Sequence, residues 1–206
     1  MATTSRGGNA ARSEAAKERL LQAAVQALAT NGYQGSSLAR IAEEAGMTTA
    51  GLLHHFPSKE HLLVAVLTER DRGDGARYNL RGMHGLAALD RLVELVSYNA
   101  LVPGLVRAFT VLMGESVAEE HPARAWFARR YPRRRDNLAA AVAAGIDSGE
   151  IRSDVDPNAL AAQIIAMMDG LQVQWLLDPD GFNLTEMFAS YIRGVREAIA
   201  AAPATE

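Results

Sequence analysis

Residues 36–61 read SSLARIAEEAGMTTAGLLHHFPSKEH. The stretch collects hydroxyls at Ser37, Thr48 and Thr49, imidazoles at His54 and His55, and the ammonium of Lys59. These groups suit hydrogen bonding and charge pairing better than turnover. Adjacent residues on a helix point about 100° apart, so His54 and His55 cannot converge on one metal ion or one proton. The elements that would position these side chains are legible in the same stretch. Leu38, Ile41, Ala42 and Ala45 recur at helical spacing. Gly46 follows as a helix-ending glycine in left-handed geometry. Thr48 is placed to cap a new helix that contains Leu52 and Leu53. Two helices joined by a tight glycine-bearing turn make a helix-turn-helix, whose second helix fits the major groove of DNA.

Composition narrows the other function classes. The chain has 206 residues, 49% of them hydrophobic, and no cysteine, which excludes a disulfide framework and thiolate metal ligation. The histidines, at 54, 55, 61, 84 and 121, include no i,i+4 pair. GESVA at 114–118 superficially resembles a nucleophile elbow but lacks its final glycine and a preceding strand. No Gly-rich phosphate loop and no His-Glu-X-X-His motif is present. An enzyme is not expected, nor a cofactor or bound metal. No uninterrupted apolar run reaches the ~18 residues of a membrane span. The N-terminal MATTSRGGNAARSE lacks the apolar core of a secretory signal, so a cytoplasmic protein without a membrane partner is expected.

Net charge is −3, which by itself speaks weakly against a nucleic-acid partner. Residues 1–61 are nearly neutral, with Arg6, Arg12, Lys17, Arg19, Arg40 and Lys59 against Glu14, Glu18, Glu43, Glu44 and Glu60. DNA binding would therefore rest on a few placed contacts and helix N-termini, not on a broad positive field.

Helical periodicity predicts an all-α fold of nine helices, in one large domain or two small ones. Residues 1–12 are small and polar and are expected to form a disordered, locally basic arm. The first helix runs from about Ser13 to Thr30, burying Leu21, Ala24, Val25 and Leu28, and ends at Asn31-Gly32. The next two span about 37–45 and 48–55. Ser58 caps a fourth, with Glu60 in its first turn. The glycines between Gly73 and Gly85 suggest a boundary. Helices over about 86–101, 104–119, 122–148, 157–177 and 184–200 follow, the last two opened by Asp156-Pro157 and Asn183.

From the NGY that ends the first helix through SSLARIAEEAGMTTAGLLHHFPSKEHLLVAVL, the chain resembles the TetR family of bacterial transcriptional regulators. The spacing of Gly46, Gly51, Phe56, Lys59 and Leu62-Leu63 carries that likeness, and MMDGLQVQWLLDP resembles the eighth helix of many members. The resemblance implies a helix-turn-helix DNA-binding domain over 13–58. It also implies a ligand-binding and dimerisation domain over 59–206, with helix four as connector. The implied function is a homodimeric repressor released from double-stranded operator DNA by a small-molecule effector. A helical interaction protein of the same fold that has lost specific DNA binding is the alternative.

The resemblance makes Thr48–His55 the recognition helix. Thr48, Thr49, Ala50 and Gly51 lie at its leading end, where Thr49 can bond a base edge or phosphate and Ala50 can meet a thymine methyl. Thr48 also reads as a plain helix cap. Leu53, His54 and His55 match positions that face the DNA. Lys59 matches a phosphate-binding lysine, and Ser37 can cap helix two or bond a phosphate. Two departures stand out: Leu53 replaces the usual tyrosine, and Ala39 replaces a frequent arginine.

Two stretches in the remaining chain carry open alternatives. Leu160, Ile164, Met168, Leu171, Gln172 and Trp175 on helix eight, with Phe188, Tyr191 and Val195 on helix nine, form an apolar surface wider than one core face needs. It is either central core or a dimer interface built as a four-helix bundle. Gly170 would suit a close approach of backbones. Phe109, Met113, Trp126, Phe127, Met167 and Trp175 are candidates for an effector pocket as well as for core. ARAWFARRYPRRRD carries six arginines between Arg124 and Arg135, a solvated or ion-paired face, or a dock for an acidic ligand.

Overall fold

The computed structural model describes residues 5–77 and 84–201. Among these, the chain forms nine helices: α1 (Ser5–Gly35), α2 (Leu38–Glu44), α3 (Thr49–His55), α4 (Lys59–Arg77), α5 (Leu86–Leu101), α6 (Pro103–Glu115), α7 (Arg124–Asp147), α8 (Pro157–Leu177) and α9 (Leu184–Ile199). An isolated bridge pairs Ile151 with Ala200. The chain divides into two compact units: residues up to Arg70 with Arg107–Trp126, and Asp71–Val106 with the chain from Phe127 onward. Helix α4 is thus shared, where sequence had placed the division at its start.

In the first unit, α1 begins earlier than its pattern suggested. Residues 5–12, expected as a disordered arm, are helical. Once a helix is nucleated, each further residue adds a hydrogen bond at little cost, so small residues such as Ala10 and Ala11 extend it. The buried face centres on Leu20, Ala24, Ala27 and Leu28, one residue back from the expected Leu21 and Val25. Gly32, at φ 65°, breaks the helix where Asn31-Gly32 predicted its end.

The turn between α2 and α3 is a Schellman motif. Gly46 donates its N–H to the Glu43 carbonyl at 2.9 Å, and Met47 donates to Ala42 at 2.8 Å. Closure requires Gly46 at φ 68°. Ser37 sits at the start of α2, but its side chain makes no capping bond, against the expected cap. Ser58 does cap α4, accepting from His61 N–H at 3.3 Å. Gly73 and Gly75 lie inside α4, so the expected boundary is helical there; residues 78–83 lie outside the described ones.

The second unit packs α5 and α9 most extensively, with α8 beside α9. Its core holds Leu89, Val96, Leu138, Val142, Ile164, Trp175, Phe188 and Ile192. The start of α5 meets α7 backbone to backbone: a Cβ on Gly145 would lie 2.5 Å from the Gly85 Cα. Asp156 caps α8 by accepting from Asn158 and Ala159, and Asn183 caps α9 by accepting from Glu186. Helix α8 has the length and mean hydropathy (1.2) of a membrane span, although no uninterrupted apolar run marks it. Its polar residues are engaged within the unit: Asp169 accepts from the Tyr131 hydroxyl at 2.7 Å, and buried Gln172 accepts from Asn99 at 3.4 Å.

Gly46 has open space around its Cα, so substitution there is governed by backbone strain. Gly46→Ala is expected to lower unfolding free energy by about 1–2 kcal/mol, the cost of a Cβ in the left-handed region. Urea denaturation followed by circular dichroism checks this.

Candidate nucleic-acid interface

Helix α3 has only seven residues and is held by its neighbours. Leu52 is fully buried and Phe56, which closes the helix, is 5% exposed. These two anchors fix the opposite face outward. Thr48, Thr49 and Ala50 are exposed, and Gly51 is half-buried. The Thr48 hydroxyl accepts from the Gly51 N–H at 3.1 Å, so Thr48 is the cap its position predicted. Leu53 and His54 are exposed and His55 is half-buried, the two imidazoles meeting edge to face at 5.7 Å. Ser37 is exposed at the start of α2. The expected DNA-facing residues therefore lie at the surface of one compact unit, with Lys59 beginning α4.

Lys59 is not a free surface charge. Its ammonium lies 4.4 Å from the Tyr33 ring centroid and donates to the Gln34 carbonyl at 3.4 Å. Tyr33, 5% exposed, also donates its hydroxyl to Glu60 Oε1 at 2.8 Å and its backbone N–H to Glu115 Oε2 at 2.9 Å. One aromatic residue thus joins the end of α1 to the start of α4 and the end of α6. Its role was missed in sequence. The signal was the NGY itself: a buried tyrosine after a helix break needs a partner for its hydroxyl. Burial, reinforced by Glu60, pushes the Tyr33 phenol up to about 12. Hydrogen bonding from Ser58, its own backbone N–H and Tyr33 holds the Glu60 carboxyl down at about 2.

The effector candidates are divided between the two units. Phe109, Met113 and Trp126 belong to the first unit, where the Phe109 and Trp126 rings meet at 6.5 Å and the Arg70 guanidinium covers Phe109 at 3.9 Å. Phe127 and Trp175 are buried in the second unit, and Met167 is exposed on α8. A small cavity of about 30 Å³ in that unit is lined instead by Leu92, Leu95, Arg130, Arg134, Leu138, Ile165 and Met168.

The expected dimer surface is corrected as well. Ile164, Leu171, Gln172, Trp175 and Phe188 are at most 8% exposed, committed to the chain's own core. Leu160 and Met168 pack against that core. The apolar surface lies one stripe over: Met167, Val173, Leu177 and Met187 are exposed. A shallow groove there is lined by Met167, Met187, Ser190, Tyr191, Gly194 and Val195, so Tyr191 and Val195 remain on it. Gly170 is exposed, and a methyl placed on its Cα would meet nothing within 4 Å, so no backbone of the described residues approaches it there.

The arginine-rich stretch of α7 forms an ion-pair network. Asp71 pairs with Arg130 at 3.0 Å and also with Arg133 and Arg134. Burial pushes the Asp71 carboxyl up, but bonding and charge from Arg134 and Arg130 outweigh it and hold the group below its usual range.

A helix-turn-helix head followed by a helical body of this order defines a class of DNA-binding regulator. Residues 20–66 match the family model for bacterial regulatory proteins of the tetR family, and residues 87–200 match that for the BetI-type transcriptional repressor C-terminal domain. The chain belongs to the TetR family. It is 44% identical to the HTH-type transcriptional regulator RutR of Escherichia coli over 55 residues, which are 27% of this chain and only 26% of RutR. A TetR-family transcriptional regulator from Rhodococcus sp. superposes with TM-score 0.72 at 26% identity, over 91% of this chain and 100% of that one. A transcriptional regulator from Saccharomonospora viridis, solved with choline, gives TM-score 0.76 at 26% identity over 91% and 98%.

Because its carboxyl is depressed when folded, Glu60 stabilises the fold fully above pH 4.5 and loses that contribution as pH falls toward about 2. The melting-temperature gap between the wild type and Glu60→Gln is therefore expected to be constant above pH 4.5 and to close below it. Thermal melts across that range check the sign.

Proposed function

We propose that this chain is a ligand-responsive, DNA-binding transcriptional repressor that acts as a homodimer in the cytoplasm. The observation that carries this reading is the outward edge of α3, Thr48 to Gly51, fixed from behind by Leu52 and Phe56. The leading edge of such a helix is the part that enters a major groove. Thr49 and Ala50 offer a hydrogen bond and a methyl contact to base edges. Lys59, oriented by the Tyr33 ring, offers a phosphate contact beside the N-terminus of α4. Ser37, His54 and His55 lie at the backbone-facing margin, and Leu53 adds an apolar contact without a hydroxyl.

Dimerisation is supported by the exposed methionines and valine of α8 and α9 and by the groove around them. A second copy of the same pair of helices would complete a four-helix bundle and cover that surface. Two recognition helices would then read half-sites roughly 34–36 Å apart or somewhat more. Effector binding is supported by the BetI-type match over residues 87–200 and by the neighbour solved with choline.

In gel-shift titrations against the chain's own upstream region, Lys59→Ala is expected to weaken all sequences alike and to lower the salt slope by about 0.9. Thr49→Ala is expected to cost about 1–3 kcal/mol on the preferred sequence and to narrow the gap to others. Unchanged affinity for both variants contradicts the assignment. Met187→Arg is expected to yield a folded monomer by light scattering at micromolar concentration, where the wild type is a dimer.

A further inference from the structure

The cavity in the second unit has an unusual lining. Five apolar side chains, Leu92, Leu95, Leu138, Ile165 and Met168, face two guanidiniums, Arg130 and Arg134. The arginine side chains are 11% and 19% exposed, and both are held by the single carboxylate of Asp71, itself 11% exposed. Asp169 contributes a second negative charge near Arg130, while Arg133, more than half exposed, adds a third positive one. The Nε of Arg134 is buried and finds no hydrogen-bond partner among the described residues. A buried N–H on a cation, left unsatisfied, is a standing cost that an incoming acceptor removes.

We propose that the effector of this regulator is an anionic amphiphile, an organic carboxylate with an apolar chain. Its carboxylate takes Arg134 and Arg130 in competition with Asp71, and its chain lies among the five apolar residues. The inference rests on the regulatory reading above and assigns the ligand class for it. At about 30 Å³ the cavity has room for a water and not for an effector, so binding requires it to widen. Met168, unbranched and adaptable, is the side chain best able to make room. The two guanidiniums would repel a quaternary ammonium, and the lining offers no aromatic face to hold one. Here the chain parts from its choline-bound neighbour. Asp71 lies on α4, three turns beyond Lys59.

Isothermal titration of the full chain with butyrate, octanoate, palmitate, octanol and choline tests this, alongside gel shifts on the operator. At least one alkanoate is expected to bind about tenfold or more tightly than octanol, and to release the operator, while choline does neither. Arg134→Gln, verified as folded by circular dichroism, should lose that advantage while binding octanol as before. Asp71→Asn should bind the alkanoate more tightly than the wild type. Equal binding of alkanoate and octanol, binding of choline, or an alkanoate response unchanged in Arg134→Gln would overturn the assignment. Operator binding that no alkanoate affects also overturns it and leaves the regulatory reading intact. Failure to bind any upstream DNA without ligand would instead remove the regulatory reading itself.

Discussion

A helix of seven residues has no stability of its own in water, since nucleation costs more than its few hydrogen bonds return. Everything α3 does must therefore be imposed on it. Leu52 and Phe56 fix its rotation, Thr48 caps its first turn, and the Gly46 turn sets its angle to α2. The exposed edge is what remains once these requirements are met. Tyr33 performs the same service for the start of α4, stacking under Lys59 and bonding Glu60 while its own backbone is held from α6 by Glu115. The grouping of α6 residues with the helix-turn-helix in one compact unit follows from such bonds.

The second unit is organised around a different constraint. Leu and Val side chains supply most of its core, but α7 brings arginines to the buried side of α4, where charge must be matched. A buried ion pair contributes little net stability, yet removing one partner leaves an uncompensated charge at a cost of about 3–5 kcal/mol. The chain thus has one element, α4, that carries both a phosphate-binding candidate and the carboxylate that neutralises the arginines.

Much of the architecture was legible in sequence because the signals are local. Asp156-Pro157, Asn183, Ser58 and Asn31-Gly32 sit where helices begin or break, and the structure places boundaries within a few residues of each. The helix-turn-helix was legible for the same reason: its cap, turn glycine and buried leucine all lie within twenty-odd residues. What failed depends on long-range choice. Helix α8 is apolar around most of its circumference, so periodicity could not say which stripe meets its own core; Ile164 and Trp175 went inward and Met167 outward. The pairing of Asp71 with Arg130 and Arg134, about sixty residues apart, leaves no pattern in sequence.

The claim on which the account turns is that the α3 edge is the surface that meets DNA. Hydrogen exchange of the full chain, with and without a bound fragment of its upstream region, measures this directly. Slowed exchange is predicted at the amides from Met47 to Lys59 and at the start of α2. Protection that spares those amides and falls elsewhere on the chain would contradict it.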